Sequence, residues 1–255
     1  LTEIFRQAQE SLIVMNAHRV NSGVMPDLKT VTSDFFFLRR RTEEAVASTI
    51  GDLCRTRLPD RMGIPPEEIQ VLSPTRKGPT GTASLNLLLQ AQLNPPAPDK
   101  KEKKWGDFSF REGDRVMQIR NNYDILWKKT DGTQVGTGIF NGDIGVITEI
   151  DLNAELLTVV FDDRQAEYDF DMLRELELAY AMTVHKSQGS EYQAVVLAAW
   201  SCAPNLRTRR VLYTAITRAR KLLVVVGRED ILQTMTENQR QSRRYSGLKL
   251  RLQEK

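Results

Sequence analysis

The sequence has few of the residues that build disulfide frameworks or metal centres. Its 255 residues include two cysteines, Cys54 and Cys202, and two histidines, His18 and His185. This supply excludes a disulfide framework and a four-cysteine zinc site, so we expect no metal site. No apolar run approaches the ~18 residues of a membrane span, and the start of the chain has no signal-peptide layout. We therefore expect a cytoplasmic protein without a membrane partner, cut from within a longer chain.

Charge is distributed unevenly along the chain. The formal net charge is +3, but residues 107–175 carry 7 Lys/Arg and 15 Asp/Glu, whereas residues 205–255 carry 13 and 4. The basic C-terminal quarter is suited to the phosphates of a nucleic acid or a nucleotide. A solvated helix face would also explain it. The acidic middle segment opposes a polyanion.

The segments on either side of the middle have the pattern of an α/β fold. Apolar runs that predict buried strands alternate with helical periodicity, which is typical of a parallel sheet with covering helices. The predicted strands are 34–38, 69–73, 194–199 and 222–227, and the predicted helices are 42–58, 81–92 and 209–219. Prolines and lysines in residues 94–104 predict a linker or an exposed crossing.

The middle of the chain has a different texture. Short predicted strands at 115–119, 125–127, 144–147 and 156–161 alternate with turns, and Asp131-Gly132 and Asn141-Gly142 predict two-residue hairpins. Strands this short and frequent indicate a small barrel. The sequence thus predicts an α/β parallel-sheet domain, residues 1–105 and 176–255, with a small β-barrel inserted at 106–175.

Three segments beside predicted strands carry candidate chemistry. Residues 73–78 and 183–189 each follow a strand, where α/β proteins bind ligands, and their hydroxyls and backbone N–H groups suit phosphates. Arg218, on a predicted helix before a buried strand, can grip a phosphate bidentately. Ordinary connecting loops and an arginine that caps a helix are the simpler interpretations.

Taken together, these segments resemble the C-terminal half of a RecD-like DNA helicase of superfamily 1 with 5′→3′ polarity. Residues 1–8 are similar to helicase motif IV, residues 179–191 to motif V and residues 213–219 to motif VI. Further matching stretches lie at 70–78, 113–118, 121–124 and 140–145. The order and spacing of the segments fit, and the resemblance covers essentially the whole chain.

The resemblance implies a RecA-like (P-loop NTPase-type) parallel-sheet domain with an inserted SH3-like β-barrel, in a bacterial enzyme of DNA repair or recombination. It implies ATP and Mg²⁺ as cofactors of the complete helicase. Its implied partners are single-stranded DNA, the N-terminal RecA-like half and, in some relatives, nuclease or helicase subunits. The implied catalytic residues are Arg6 and Arg218, the ATP-binding ones are Gln188, Gly189 and Glu191, and the DNA-binding ones are Ser73, Pro74, Thr75, Lys77, Thr183, His185, Lys186 and Ser187.

Two departures from the family pattern bear on activity. The sequence contains no G-x-x-x-x-G-K-[ST] phosphate loop, so we expect the chain alone to hold no ATP tightly and to lack ATPase and unwinding activity. The hairpin at 125–139 is longer than the family leads us to expect, and its role stays open. A basic nucleic-acid-binding module without a motor cycle, and an acidic barrel that docks a protein, are the alternatives. The pair Arg6 and Arg218 favours the motor.

Overall fold

The computed structural model describes residues 11–30 and 34–239. Its helices are α1 (Leu12–Asn21), α2 (Glu43–Asp52), α3 (Leu58–Met62), α4 (Thr82–Leu93), α5 (Arg209–Ile216) and α6 (Glu229–Glu237). Its strands are β1 (Phe35–Arg39), β2 (Ile69–Ser73), β3 (Glu102–Trp105), β4 (Phe108–Arg111), β5 (Arg115–Gln118), β6 (Asn122–Lys129), β7 (Val135–Ile139), β8 (Ile144–Asp151), β9 (Leu156–Phe161), β10 (Arg164–Asp169), β11 (Leu176–Leu178), β12 (Ala181–Thr183), β13 (Tyr192–Ala199) and β14 (Ala219–Gly227). None of the helices in these ranges is long and apolar enough to cross a bilayer.

Five strands form one parallel sheet in the order β1-β14-β13-β2-β12. The four apolar runs are strands, as predicted, and alternate residues of β13 enter different cores. Val196 packs in the core that includes α2 and α4, and Val195 packs in the core that includes α1, α5 and α6. A parallel sheet covered on both faces requires such continuous apolar runs.

The parallel direction of the strands gives the sheet two distinct edges. The last residues of the five strands lie at one edge, which we call the C-terminal edge, and the first residues lie toward the opposite, N-terminal edge. The C-terminal edge is formed by the ends of the strands at Arg39, Gly227, Ala199, Ser73 and Thr183. Ligand sites of α/β proteins lie where loops leave such an edge.

The inserted unit is a seven-stranded antiparallel sheet in the order β11-β5-β8-β9-β10-β6-β7. It interrupts the chain between β2 and β12, which confirms the predicted insertion of an antiparallel unit into an α/β domain. Its interior contains Ile147, Val159 and Tyr168, all fully buried. The sequence reasoning missed β10 and β11, because the polar residues of β10 and the shortness of β11 hide their alternation.

The two predicted hairpin turns differ in outcome. Asp131-Gly132 lies in the loop of the β6–β7 hairpin, although the Lys129 N–H donates to the Gln134 carbonyl at 2.8 Å and the loop is therefore longer than two residues. The prediction for Asn141-Gly142 is wrong as a hairpin, because β7 pairs with β6 while β8 pairs with β5 and β9. The Asp143 N–H donates to the Phe140 carbonyl at 3.0 Å. The segment is thus a turn that connects β7 to β8, two strands that do not pair with each other.

The connection predicted as a linker is ordered, and it joins the two units. Asn94, 5% exposed, begins it, and its last residues form β3, which pairs with β4. Asp114, fully buried, accepts hydrogen bonds from Asn94 Nδ2 at 2.8 Å, Gln90 Nε2 at 2.5 Å, the Arg111 backbone N–H at 2.8 Å and the Tyr180 hydroxyl at 2.9 Å. One carboxylate thus connects α4, the start of β5 and the entry to β12.

We expect Asp114→Ala to destabilise the protein strongly, because it leaves several buried donors without an acceptor. Breaking such a buried polar network costs about 3–5 kcal/mol. Urea unfolding should show this loss, whereas the exposed Asp124→Ala should stay within about 0.5 kcal/mol of wild type. Equal stability of both variants would contradict the role assigned to Asp114.

Candidate nucleotide and nucleic-acid site

The two loops predicted to contact DNA leave neighbouring strands at the C-terminal edge. Ser73 and Thr183 are paired residues of β2 and β12, and the Val184 N–H donates to the Ser73 carbonyl at 3.1 Å. The loops after these strands therefore start side by side. The sequence predicted both loops at strand ends, and the sheet order brings them together.

Several of the predicted DNA-binding side chains are buried within these loops. Ser73 donates its hydroxyl to the Thr80 carbonyl at 2.8 Å, and Ser187 donates to the Val184 carbonyl at 2.8 Å. Pro74 is also buried, whereas Lys77 and His185 are exposed and Thr75, Thr183 and Lys186 are half-buried. The serines set the shape of the loops, and the exposed and half-buried residues form their outer surface.

A carboxylate that the sequence reasoning missed joins the two loops. Glu177, on β11 of the antiparallel sheet, contacts Arg76 Nη2 at 2.7 Å and Lys186 Nζ at 2.9 Å through its two oxygens. Burial raises the pKa of Glu177, but the hydrogen bonds and charges of Lys186 and Arg76 outweigh it and hold that pKa below its usual value. In the sequence, only its place between Leu176 and Leu178 bears on its direction, and it predicts a side chain on the face opposite those two leucines.

Residues 184–191 cross from the C-terminal edge to the N-terminal edge. They begin after β12 and end where β13 starts, and turns shape them, with the Ser187 N–H donating to the Thr183 carbonyl at 3.2 Å. Gly189 has a φ of +92°, which favours glycine. The segment similar to motif V therefore places its first residues at one edge of the sheet and Gln188, Gly189 and Glu191 toward the other, where all three are exposed.

Arg218 lies at the N-terminal edge, beside the end of this crossing. The prediction that it sits on the helix is wrong, because α5 ends at Ile216 and Thr217 caps it before β14 begins. The Arg218 guanidinium donates to the Ser190 carbonyl at 2.8 Å, the Thr214 carbonyl at 3.1 Å and the Thr217 hydroxyl at 3.2 Å. A guanidinium has five N–H donors, so the half-buried side chain is held in place with donors left for an anion.

The remaining predicted residues differ in what can be said of them. Glu191 forms an exposed ion pair with Arg220 at 3.5 Å, and exposed pairs of this kind are weak. Arg6 lies outside the described residues. Within the ranges that the structure describes, no three His, Cys, Asp or Glu side chains group as metal ligands.

Comparison with known proteins identifies the family. Residues 85–161 match the family model of the ATP-dependent RecD-like DNA helicase SH3 domain, and residues 178–226 match the UvrD-like helicase C-terminal domain. The chain is 32% identical over 243 residues to the ATP-dependent RecD2 DNA helicase of Deinococcus radiodurans, which covers 95% of this chain and 30% of that protein. The chain belongs to the RecD-like helicase family. Its fold is thus a RecA-like parallel sheet with an inserted SH3-like barrel, as the resemblance implied.

Other relatives of this RecD-like chain show the same partial coverage. It is 31% identical over 189 residues to the RecBCD enzyme subunit RecD of Mycobacterium tuberculosis, covering 73% of this chain and 29% of that subunit. The chain therefore spans about 30% of the length of each of these two curated relatives. Among solved structures, the Pif1 helicase from Candida albicans has a TM-score of 0.49 and 15% identity, over 99% of this chain and 60% of that one.

Because the pKa of Glu177 is lowered in the folded protein, its ion pairs stabilise the protein above the ordinary carboxyl pKa of 4.5. That contribution is lost as the pH falls through the folded-state value. We expect Glu177→Gln to lower the free energy of unfolding at pH 7 by about 0.5–1 kcal/mol, since the pair is partly exposed. The difference from wild type should shrink in urea unfolding at progressively lower pH. A difference that is independent of pH would assign the loss to packing instead.

Proposed function

We propose that this chain is the C-terminal motor half of an ATP-dependent 5′→3′ DNA helicase of DNA repair or recombination. In this proposal Arg6 and Arg218, the latter at the N-terminal edge, serve the ATP site, and the C-terminal edge forms part of the single-stranded DNA track. The observation that carries the proposal is the hydrogen bond from Arg218 to the Ser190 carbonyl. It ties the arginine to the segment whose other end borders the β2 loop at the opposite edge.

The residues present suit one side of a nucleotide site. Arg218 is anchored by protein oxygens, and Gln188, Gly189 and Glu191 are exposed beside it. The sequence has no phosphate loop, and the described residues offer no metal cluster. We therefore assign the phosphate loop and the Mg²⁺ ligands to the N-terminal RecA-like half, which we take as the principal partner. The bound ATP would supply the phosphoryl-transfer chemistry of the motor.

The chain's own contribution to catalysis would be electrostatic. In phosphoryl transfer, charge develops on the equatorial oxygens of the transferred group, and an arginine aimed at them stabilises the transition state. The anchors at Ser190, Thr214 and Thr217 pre-order the Arg218 guanidinium. Any shift of Arg218 on hydrolysis would pull on the crossing that starts beside Thr183, and this provides a route from the nucleotide to the DNA.

We keep the domain division as part of this proposal. The RecA-like domain comprises residues 1–105 and 176–255, and the barrel comprises residues 106–175, although β11 just after the second boundary pairs with β5 of the barrel and β3 just before the first pairs with β4. The parallel pairing of strands from both outer segments supports it. The family match to the SH3 domain starts earlier, at residue 85 within α4. The hydrogen bonds from Gln90 and Asn94 to Asp114 attach the end of α4 to the barrel.

The proposal is tested by Arg218→Ala in the full-length protein. We expect kcat for ATP hydrolysis with saturating single-stranded DNA to fall by about 10³ to 10⁵, the contribution of such arginines, while ATP binding survives. Arg6→Ala is expected to behave alike. Arg210→Ala, an exposed arginine at the start of α5, is the charge-matched control. An Arg218→Ala enzyme within about threefold of wild type would rule out the assignment.

A second test addresses the DNA track. Lys77→Ala with Lys186→Ala should weaken single-stranded DNA binding and reduce the magnitude of the salt slope by about 1.4, since each neutralised phosphate of a single strand contributes about 0.7. Fluorescence anisotropy of labelled oligo-dT at several salt concentrations measures the slope. An unchanged slope would place the strand away from these loops. Exposed Lys29 and Lys221, replaced together by Ala, serve as the control.

A further inference from the structure

The C-terminal edge carries a second basic cleft, away from the loops of β2 and β12. The cleft has a volume of about 370 Å³, and Arg39, Arg40, Arg41 and Arg228 line it around Trp200. Two carboxylates, Glu229 and Asp230, complete the lining, so its net charge is +2. These residues lie at or just after the ends of β1, β13 and β14, on the same edge as the proposed track.

The backbone beneath the cleft is fixed. The Arg40 N–H donates to the Gly227 carbonyl at 3.0 Å, and the Arg228 N–H donates to the Ala199 carbonyl at 2.9 Å. Gly227 has a φ of +154°, and a Cβ there would lie 1.9 Å from the Ala199 oxygen. Only glycine permits this approach of the two strand ends, so the arginines stand on a rigid platform.

The side chains divide into neutralised and unneutralised cations. Arg39 pairs with Glu229 at 3.1 Å, and Arg228 grips both oxygens of Asp230. Arg40 instead donates to the Thr49 hydroxyl at 2.6 Å and to the Arg39 carbonyl at 2.7 Å, which order it without cancelling its charge. Arg41 is exposed, and in the described part of the chain no acceptor or carboxylate is bonded to it.

Trp200 gives the cleft an apolar wall. The Arg228 guanidinium lies 5.3 Å from its ring centroid, a cation–π contact that fixes both side chains. Arginines bind phosphates through a planar fork of donors, and a basic groove with an aromatic platform is the composition of single-strand binding surfaces. The cleft therefore fits the phosphodiester backbone of a single strand.

The distance to the proposed track suits one continuous strand. β1 stands three strand positions from β2, which is about 14 Å at the usual spacing. Successive phosphates of an extended single strand lie farther apart than the ~3.4 Å axial rise of duplex DNA, so this distance corresponds to fewer than about four nucleotides. We propose that the Arg39–Arg40–Arg41–Arg228 cleft is a second phosphate-binding site, which holds the single strand beyond the loops of β2 and β12. This inference rests on the proposed function, since it extends the same track.

A length series of oligo-dT, about 4 to 20 nucleotides, tests the proposal by anisotropy with the full-length protein. We expect the double variant Arg40→Gln, Arg41→Gln to bind short oligonucleotides like wild type and to bind longer ones about tenfold more weakly. The salt slope for the long oligonucleotides should lose about 1.4, for two phosphates. Arg41→Glu alone, at an exposed position, repeats the test without touching the Thr49 contact. Arg55→Gln, Arg61→Gln, two exposed arginines toward the end of the α2–α3 segment, form the matched control.

The outcomes separate the cleft from the track. If wild type binds every length and the cleft variants match it throughout, the second site is overturned and the proposed function stands. If wild type binds no oligonucleotide, both fall. The same phosphate chemistry could serve a free pyrophosphate, so calorimetry with pyrophosphate forms a further arm. Binding of pyrophosphate that Arg41→Glu abolishes, with no length threshold for DNA, would overturn the strand assignment.

Discussion

The short pairing of β12 with β2 is the constraint on which two candidate surfaces depend. One is formed by the loops after β2 and β12 at the C-terminal edge, and the other surrounds Arg218 at the N-terminal edge. β12 has only three residues, Ala181–Thr183, and is the outermost strand of the sheet, with a neighbouring strand on one side only. Its backbone hydrogen bonds to β2 are therefore few. Asn86 from α4 strengthens this strand. Its side-chain amide donates to the Leu178 and Ala181 carbonyls at 2.9 and 3.0 Å, and its oxygen accepts from the Ala181 N–H at 2.7 Å. The buried Asn86 amide thus forms hydrogen bonds with β12 where no neighbouring strand does so, and it fixes the place at which the chain leaves the sheet.

From that exit point, the register of the sheet determines the separation of the two surfaces. Thr183 stands opposite Ser73, so the first residues of the crossing meet the β2 loop. The crossing must then reach Tyr192, which pairs with Ala219 where β13 begins. The position of Tyr192 is fixed, because its N–H donates to the Arg218 carbonyl at 2.9 Å. Strand pairing therefore places residues 183–187 at the C-terminal edge and residues 188–191 toward the N-terminal edge. One segment thus connects Arg218 with the loops of β2 and β12.

Local sequence predicted the elements whose signals are local. Continuous apolar runs identified β1, β2, β13 and β14, because strands buried on both faces need them. The sequence predicted Arg218 on the helix, but the helix ends two residues before it. The end was not predictable, because the capping role of Thr217 depends on how the chain enters β14. Asn141-Gly142 was assigned a hairpin because a turn signal carries no information on which strands pair.

The contacts that shape the candidate surfaces were beyond prediction, because they join residues distant in the chain. Glu177 meets Arg76, which lies 101 positions away, and Arg39 meets Glu229, which lies 190 positions away. A carboxylate between two leucines in β11 has no pattern that names its partners. The arginine run 39–41 reads as an ordinary charged turn until the sheet order places Trp200 and Arg228 beside it.

The charge asymmetry of the chain acquires a physical meaning once the fold is known. The acidic segment 107–175 belongs almost entirely to the antiparallel unit, and fields from exposed charges decay over about 8–10 Å at ordinary salt. A carboxylate of this segment therefore acts on a bound strand only where the two lie within that distance. Glu177, just outside this acidic segment, lies on β11, which brings it into direct contact with Arg76 and Lys186. The antiparallel sheet thus contacts the loops of β2 and β12 through Glu177, which pairs with both Arg76 and Lys186. Any displacement of β11 would release both of them together.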